Sequence, residues 1–258
     1  GGDIITTSAG TSNFAAGVNA GNSIASGGNF NTVVGDEAGT AITTGDENVA
    51  VGFEALTGDT LGSRSVAIGD SALKAQNFTT ATNSYNTAVG MNAGAAVTTG
   101  LFNTLIGGLA GDALTDADYN VAVGQKSLGA DTLGSKSTAL GYATLQVQNF
   151  TTATDSYNTA VGFEAGKAVT TGIDNVLIGA KAGDALTDAD NNVAMGRSAL
   201  GADTLGSNST ALGYGTLSNQ NFTTATDTYN VAVGPFAGND ITTGVQNTIV
   251  GGLAGDAL

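Results

Sequence analysis

The chain has 258 residues, 22 acidic and 7 basic side chains, a net charge of −15, and neither histidine nor cysteine. Lack of His removes Ser–His and Cys–His nucleophiles and the commonest general base, so an enzyme is not expected. The acidic surplus argues against nucleic acid, and no apolar run approaches the roughly 18 residues of a membrane span.

Residues 1–30 read as degenerate first coils, with Asn13-Phe-Ala-Ala-Gly17 an imperfect copy of a motif that becomes regular from Asn31. There Asn-Thr-Val-Val-Gly35 recurs as Asn48-Val-Ala-Val-Gly52, Ser65-Val-Ala-Ile-Gly69 and Asn86-Thr-Ala-Val-Gly90, ending at Asn247-Thr-Ile-Val-Gly251. With the leading residue as position zero, successive copies are 17 or 21 residues apart. So short a period cannot be a domain; each copy is one turn of a stack. Residues 31–85 form a short super-repeat, 86–157 and 158–229 two full super-repeats of 72 residues, and 230–258 a truncated one. The full copies agree at 54 of 72 positions, and seven of their eighteen differences fall at +5 and +6. The truncation, with no polar cap at either end, reads as a segment of a longer fibre.

Forty glycines with one proline would suggest disorder if they lacked a period. Here they hold fixed offsets. Position +4 is always Gly: Gly35, Gly52, Gly69, Gly90, Gly107, Gly124, Gly141, Gly162, Gly179, Gly196, Gly213, Gly234 and Gly251. Gly at this density defeats helices but suits short strands joined by tight corners. The fold expected is all-β: a parallel β-solenoid, or β-roll, of about 14 stacked coils. At about 4.8 Å per coil it would form a rod of roughly 65 Å. Period-two reading places the β-branched residues at +1 and +3 inside the coil and Ala at +2 outside. The outward alanines would then form a small-residue stripe, buried against identical copies. A second, weaker strand is expected near +11 to +13.

Position zero is Asn at Asn31, Asn48, Asn86, Asn103, Asn120, Asn158, Asn175, Asn192, Asn230 and Asn247. It reads as a stacked amide ladder, or as a residue that merely suits the turn. Asp112, Asp116 and Asp118, echoed by Asp184, Asp188 and Asp190, could share Ca²⁺ or serve as turn acceptors. No other cofactor is implied. The 21-residue coil, Gln76-Asn-Phe-Thr-Thr-Ala-Thr82, must bulge by four residues; Phe78 and Tyr85 either stack on sugars or fold back as a hydrophobic satellite. Asn77, Asn149 and Asn221 on this loop, and Asn208, head N-glycosylation sequons.

The Asn/Ser-Thr/Val-Ala-Val/Ile-Gly motif over residues 31–258 resembles the YadA-like head repeats of trimeric autotransporter adhesins and related phage tail fibre repeats. The adhesin repeat is about 14 residues, shorter than the 17 or 21 here. The resemblance implies a left-handed β-roll, a homotrimer, an extracellular location on a cell surface or virion fibre, and contact with a host receptor or glycan. Two other functions compete: a self-polymerising extracellular filament subunit, and an ice- or carbohydrate-binding solenoid. Ice binding calls for an unbroken Thr-x-Thr rank, and the Thr-Thr-Gly sites do not form one.

Overall fold

The computed structural model describes residues 4–5 and 9–256. The first residues of the expected degenerate coils (1–3 and 6–8) and the last two of the truncated super-repeat (257–258) lie outside the described residues. The chain divides into two compact units, Gly1–Lys126 and Ser127–Leu258. Each is all-β, and each is a parallel β-solenoid.

In the first unit, seven three-residue strands stack in chain order: Phe14–Ala16, Thr32–Val34, Val49–Val51, Val66–Ile68, Thr87–Val89, Thr104–Ile106 and Val121–Val123. In the second, seven more do the same: Thr138–Leu140, Thr159–Val161, Val176–Ile178, Val193–Met195, Thr210–Leu212, Val231–Val233 and Thr248–Val250. Seven and seven make the fourteen turns. Register is one coil to the next without slip: Ala50 pairs Ala67, Ala67 pairs Ala88, and Ala88 pairs Leu105. At the edge of the first unit, Ile4–Ile5 runs antiparallel to Phe14–Ala16.

The strand faces are the reverse of the sequence expectation. Position +2 points inward: Ala50, Ala67, Ala88, Leu105, Ala160 and Leu177 are all 0 % exposed. Positions +1 and +3 face outward and are half-buried or exposed, as in Val49 and Val51. The cause is the narrowness of the coil. Its lumen is already occupied by a turn alanine at +7 (Ala55, Ala72, Ala93) and by one larger aliphatic per coil, all fully buried. What remains at +2 is room for a methyl group in most coils, and for a larger aliphatic such as Leu105 or Leu177 only where +8 is Gly. The β-branched residues still suit the pleated surface, but on its outer side.

That larger aliphatic alternates between two positions. Where +11 is polar (Asp59, Gln76, Asp131, Gln148), +8 is Leu: Leu56, Leu73, Leu128 and Leu145, each 0 % exposed. Where +11 is aliphatic (Val97, Leu114, Val169, Leu186), +8 is Gly. A Cβ on Gly94 would stand 2.7 Å from Leu105 Cδ1 and 3.0 Å from Leu73 Cδ2, so the space is already taken. Leu105 thus fills space beside Gly94 of the preceding coil, so interior volume is shared between neighbouring coils.

The expected strand at +11 to +13 is not formed. Short two-residue ladders occur instead beside each 21-residue coil: Gly62–Ser63 with Thr82–Asn83, Gly134–Ser135 with Thr154–Asp155, and Gly206–Ser207 with Thr226–Asp227.

Positions −1, +6 and +8 take left-handed backbone, and where +8 is not Gly as many as three non-Gly residues per coil do so. In one coil they are Glu47 (φ 58°), Glu54 (54°) and Leu56 (52°). Each such residue costs about 1–2 kcal/mol. The strain is held by bonds between coils: these three N–H groups donate to Asn29 O, Asp36 O and Ala72 O at 2.9, 3.0 and 2.9 Å. Ser198 (φ 57°) sits at the +6 position that Gly215 fills elsewhere. Ser198→Gly should therefore stabilise the fold by about 0.5–1 kcal/mol, read as a raised urea midpoint.

Candidate functional site

Polar chemistry in this chain is concentrated in columns that run from coil to coil. The leading asparagines form a buried ladder. Asn31 Oδ1 accepts the backbone N–H of Asn48 at 3.0 Å, and Asn31 Nδ2 donates to Gly45 O at 2.9 Å. In the second unit Asn158 Oδ1 accepts from Asn175 N at 3.0 Å, and Asn158 Nδ2 donates to Gly172 O at 2.7 Å. Each amide thus satisfies two backbone groups that would otherwise be buried unpaired, a cost of about 1–3 kcal/mol each. From Asn31 to Asn230 the ladder presents no group to solvent, while Asn247 in the last coil is half-buried.

The ladder breaks three times, at Ser65, Ser137 and Ser209, each time beside a 21-residue coil. A network not foreseen from the sequence fills each break. Gln76 Nε2 donates to Asp59 Oδ2 at 2.6 Å and to Ser65 Oγ at 2.7 Å, while Gln76 Oε1 accepts from Asn86 Nδ2 at 2.9 Å. Ser65 Oγ and Ser84 Oγ share a 2.6 Å hydrogen bond. Asp59 Oδ1 accepts the N–H groups of Gly62 and Phe78 at 3.0 and 3.2 Å. Asp59, Ser65, Gln76, Ser84 and Asn86 are all 0 % exposed. Burial pushes the Asp59 carboxyl above its usual range, against the pull of its hydrogen bonds, that from Gln76 first. The arrangement repeats around Gln148, with Asp131, Ser137 and Asn158. It repeats again around Gln220, with Asp203, Ser209 and Asn230. The sequence carries one signal for it: Ser at position zero always coincides with Gln at +11 and with Asp at +11 of the preceding coil.

The acidic candidates act as acceptors between coils. Asp116 Oδ1 accepts Thr99 Oγ1 at 2.6 Å and Asp118 Oδ1 accepts the Leu101 N–H at 2.7 Å. Asp188 and Asp190 do the same for Thr171 and Ile173 at 2.6 and 2.8 Å. Partial burial raises the Asp112, Asp184 and Asp190 carboxyls. Among the described residues no group of three or more His, Cys, Asp or Glu is placed to hold a metal ion.

On the 21-residue loop the aromatic pair divides. Phe78, Phe150 and Phe222 fold back and are only 5–6 % exposed. The fold-back expectation fails for Tyr85, Tyr157 and Tyr229, which remain about half exposed. Sugar stacking on Tyr85 is obstructed on both faces. The Arg64 guanidinium lies 5.6 Å from its ring centroid, and Phe102 stacks on it at 5.5 Å, continuing to Tyr119 at 4.9 Å. These residues sit at position −1, where left-handed backbone turns the side chain outward.

The sequons also divide. Asn77, Asn149 and Asn221 are exposed, and each accepts a threonine hydroxyl from the preceding coil, Thr60, Thr132 or Thr204. Asn208 is half-buried, and its Nδ2 donates to Asp227 at 2.8 Å.

The remaining surface of note is the outward strand face. Ile68, Ile106 and Met195 on it are 39, 38 and 42 % exposed, and no +1 or +3 position of any coil from Asn31 onward bears a charge. Charges occupy the turns instead. No helix of the described residues is long and apolar enough to cross a membrane. No protein-family model matches the chain, and no curated protein or solved structure matches it either.

Proposed function

We propose that the chain is a non-enzymatic structural segment of an extracellular fibre, an adhesin head or shaft or a phage tail fibre, that assembles as a homotrimer and projects or presents receptor binding. The supporting observation is the outward +1/+3 face, uncharged along every regular coil of both units, with an apolar residue at every +3 and Thr or Val at +1. In each unit seven strands about 4.8 Å apart and about 10 Å wide make a face of about 300 Å², the size of the largest patches on monomers, which are often functional. The partner interface thus lies on the β-branched face; the alanines, buried within their own chain, do not take part. The resemblance to YadA-like head repeats points the same way. The trimer should be visible as three times the 25.1 kDa chain mass by native mass spectrometry. Ile68→Lys, Ile106→Lys and Met195→Lys together should yield folded monomers, because each lysine would be buried unpaired at a cost of several kcal/mol. A wild-type monomer would defeat this reading.

A second reading uses the same face. Thr87 with Val89 and Thr104 with Ile106 set hydroxyl and methyl ranks about 4.8 Å apart, a surface suited to ice. The Thr rank is interrupted by Val49, Val66 and Val121. Thermal hysteresis from a monomeric chain would favour that reading over the fibre.

A further inference from the structure

The outward strand face is bordered by two columns of side chains, position −1 on one side and positions +5 and +6 on the other. Six or seven steps separate them within a coil, roughly 20 Å at about 3.3 Å per residue, too far for contact across the face of one chain. At several levels their chemistry is nevertheless complementary. Arg64 shares its coil with Asp70, Tyr119 with Lys126, and Lys136 with Tyr142. These are an ion pair and two cation–ring pairs in kind, but Arg64 and Lys136 also pair within their own chain, with Glu47 and Asp155, and Tyr142 stacks on Phe163, so these levels weigh less than the exchange between the super-repeats.

The two full super-repeats supply a comparison built into the chain. In the first, Phe102 at −1 accompanies Leu109 at +6; in the second, the equivalent residues are Asp174 and Lys181. An aromatic–aliphatic pair has been exchanged for an acid–base pair, on both borders of the same coil. Within its own chain Asp174 has no ion pair among the described residues, and Lys181 has only a 3.7 Å approach to Glu164. One coil opposes like charges, Glu47 and Glu54, but each is neutralised in its own chain, by Arg64 and Lys74.

We propose that the partner of each border is a second copy of this chain: the −1 column of one copy packs against the +5/+6 column of the next, coil level with coil. The contact is head-to-tail around the assembly, so it closes into a ring and is not a two-fold dimer. This rests on the self-association proposed above and specifies its register and its sides.

The absence of native cysteine allows a direct test. Full-length chains carrying Phe102→Cys, Leu109→Cys, or both, are oxidised or treated with a short bis-maleimide. Only the double variant should form covalent multimers, ending at the closed ring. In parallel, Asp174→Lys and Lys181→Asp are made in a Glu164→Gln background, which removes the one carboxylate within 4 Å of Lys181 among the described residues. Each alone should weaken assembly at least tenfold, read by native mass spectrometry on dilution, and the two together should restore it. If the wild type is monomeric, self-association itself fails. If it is oligomeric but the single cysteine variants cross-link as well as the double, or the charge exchange does not restore assembly, the border pairing alone is overturned.

Discussion

Gly162→Ala should cost the second unit at least about 3–4 kcal/mol and lower its unfolding midpoint sharply. Gly162 has φ 134°, a backbone region closed to residues with a Cβ. The added methyl would lie 2.7 Å from both C and O of Gly179, the glycine at the same corner of the next coil. That neighbour cannot retreat. Gly179 is itself held by the stack, its N–H donating to Val161 O at 2.7 Å. Relief would require opening the ladder between two coils. Because each coil contacts only its neighbours, the damage should spread along the stack. Gly108→Ala is the control. That glycine has no positive φ and nothing nearer its Cβ than Met91 O at 3.9 Å, and the equivalent position 180 is already Ala. It should change stability by less than about 0.5 kcal/mol. Urea titration followed by circular dichroism separates the two, and equal behaviour would refute the corner argument.

Gln76→Leu is expected to be the most damaging near-isosteric change in the interior, at about 3–5 kcal/mol. It removes a donor from buried Asp59 and from Ser65, and the acceptor from Asn86 Nδ2. Leucine offers neither group, and Asp59 demands a donor while Asn86 demands an acceptor. The loss should also depend on pH. The Asp59 carboxyl is already raised in the folded chain, and the Gln76 hydrogen bond is the largest influence pulling it down. Without that bond the folded value rises further above the ordinary 3.8, so the fold holds the proton more tightly than the unfolded chain does. The variant's deficit should be smallest below about pH 4 and grow as pH rises through the raised value. Melting curves of both proteins at pH 3.5 and pH 7 measure this. A deficit that is the same at both values would mean Asp59 does not feel Gln76.

The two cases show different degrees of legibility. The corner glycines stood out in the sequence because their requirement is local: a backbone conformation recurring at a fixed offset. The Asn ladder was legible for a related reason, since stacking like on like needs only the right period. The Gln76 network was not. Its members are drawn from three successive coils and become neighbours only when the 21-residue step shifts the chain. Ser65 in place of Asn was its one outward mark. Tyr85 and Phe78 were likewise inseparable on paper, both aromatic on one loop. Left-handed backbone at Tyr85 turns it to the surface, whereas the Phe78 N–H is drawn in to Asp59 and its ring goes with it.

The sequence by itself determined the pitch and register of the stack, because a coil of constant length returns each residue type to the same column. It also determined where the corners fall. Which side of each strand is interior was decided only by the tertiary structure. A three-residue strand offers one side chain to one face and two to the other, and here neither face carries a charge in the regular coils. The choice rests on how much room the turns leave: Ala at +7, with Leu at +8 or an aliphatic at +11, fills the lumen until only a small +2 residue fits beside them, or Leu105 where +8 gives way to Gly. That same packing sends the β-branched residues outward and sets them on the uncharged face through which this chain is proposed to meet its copies.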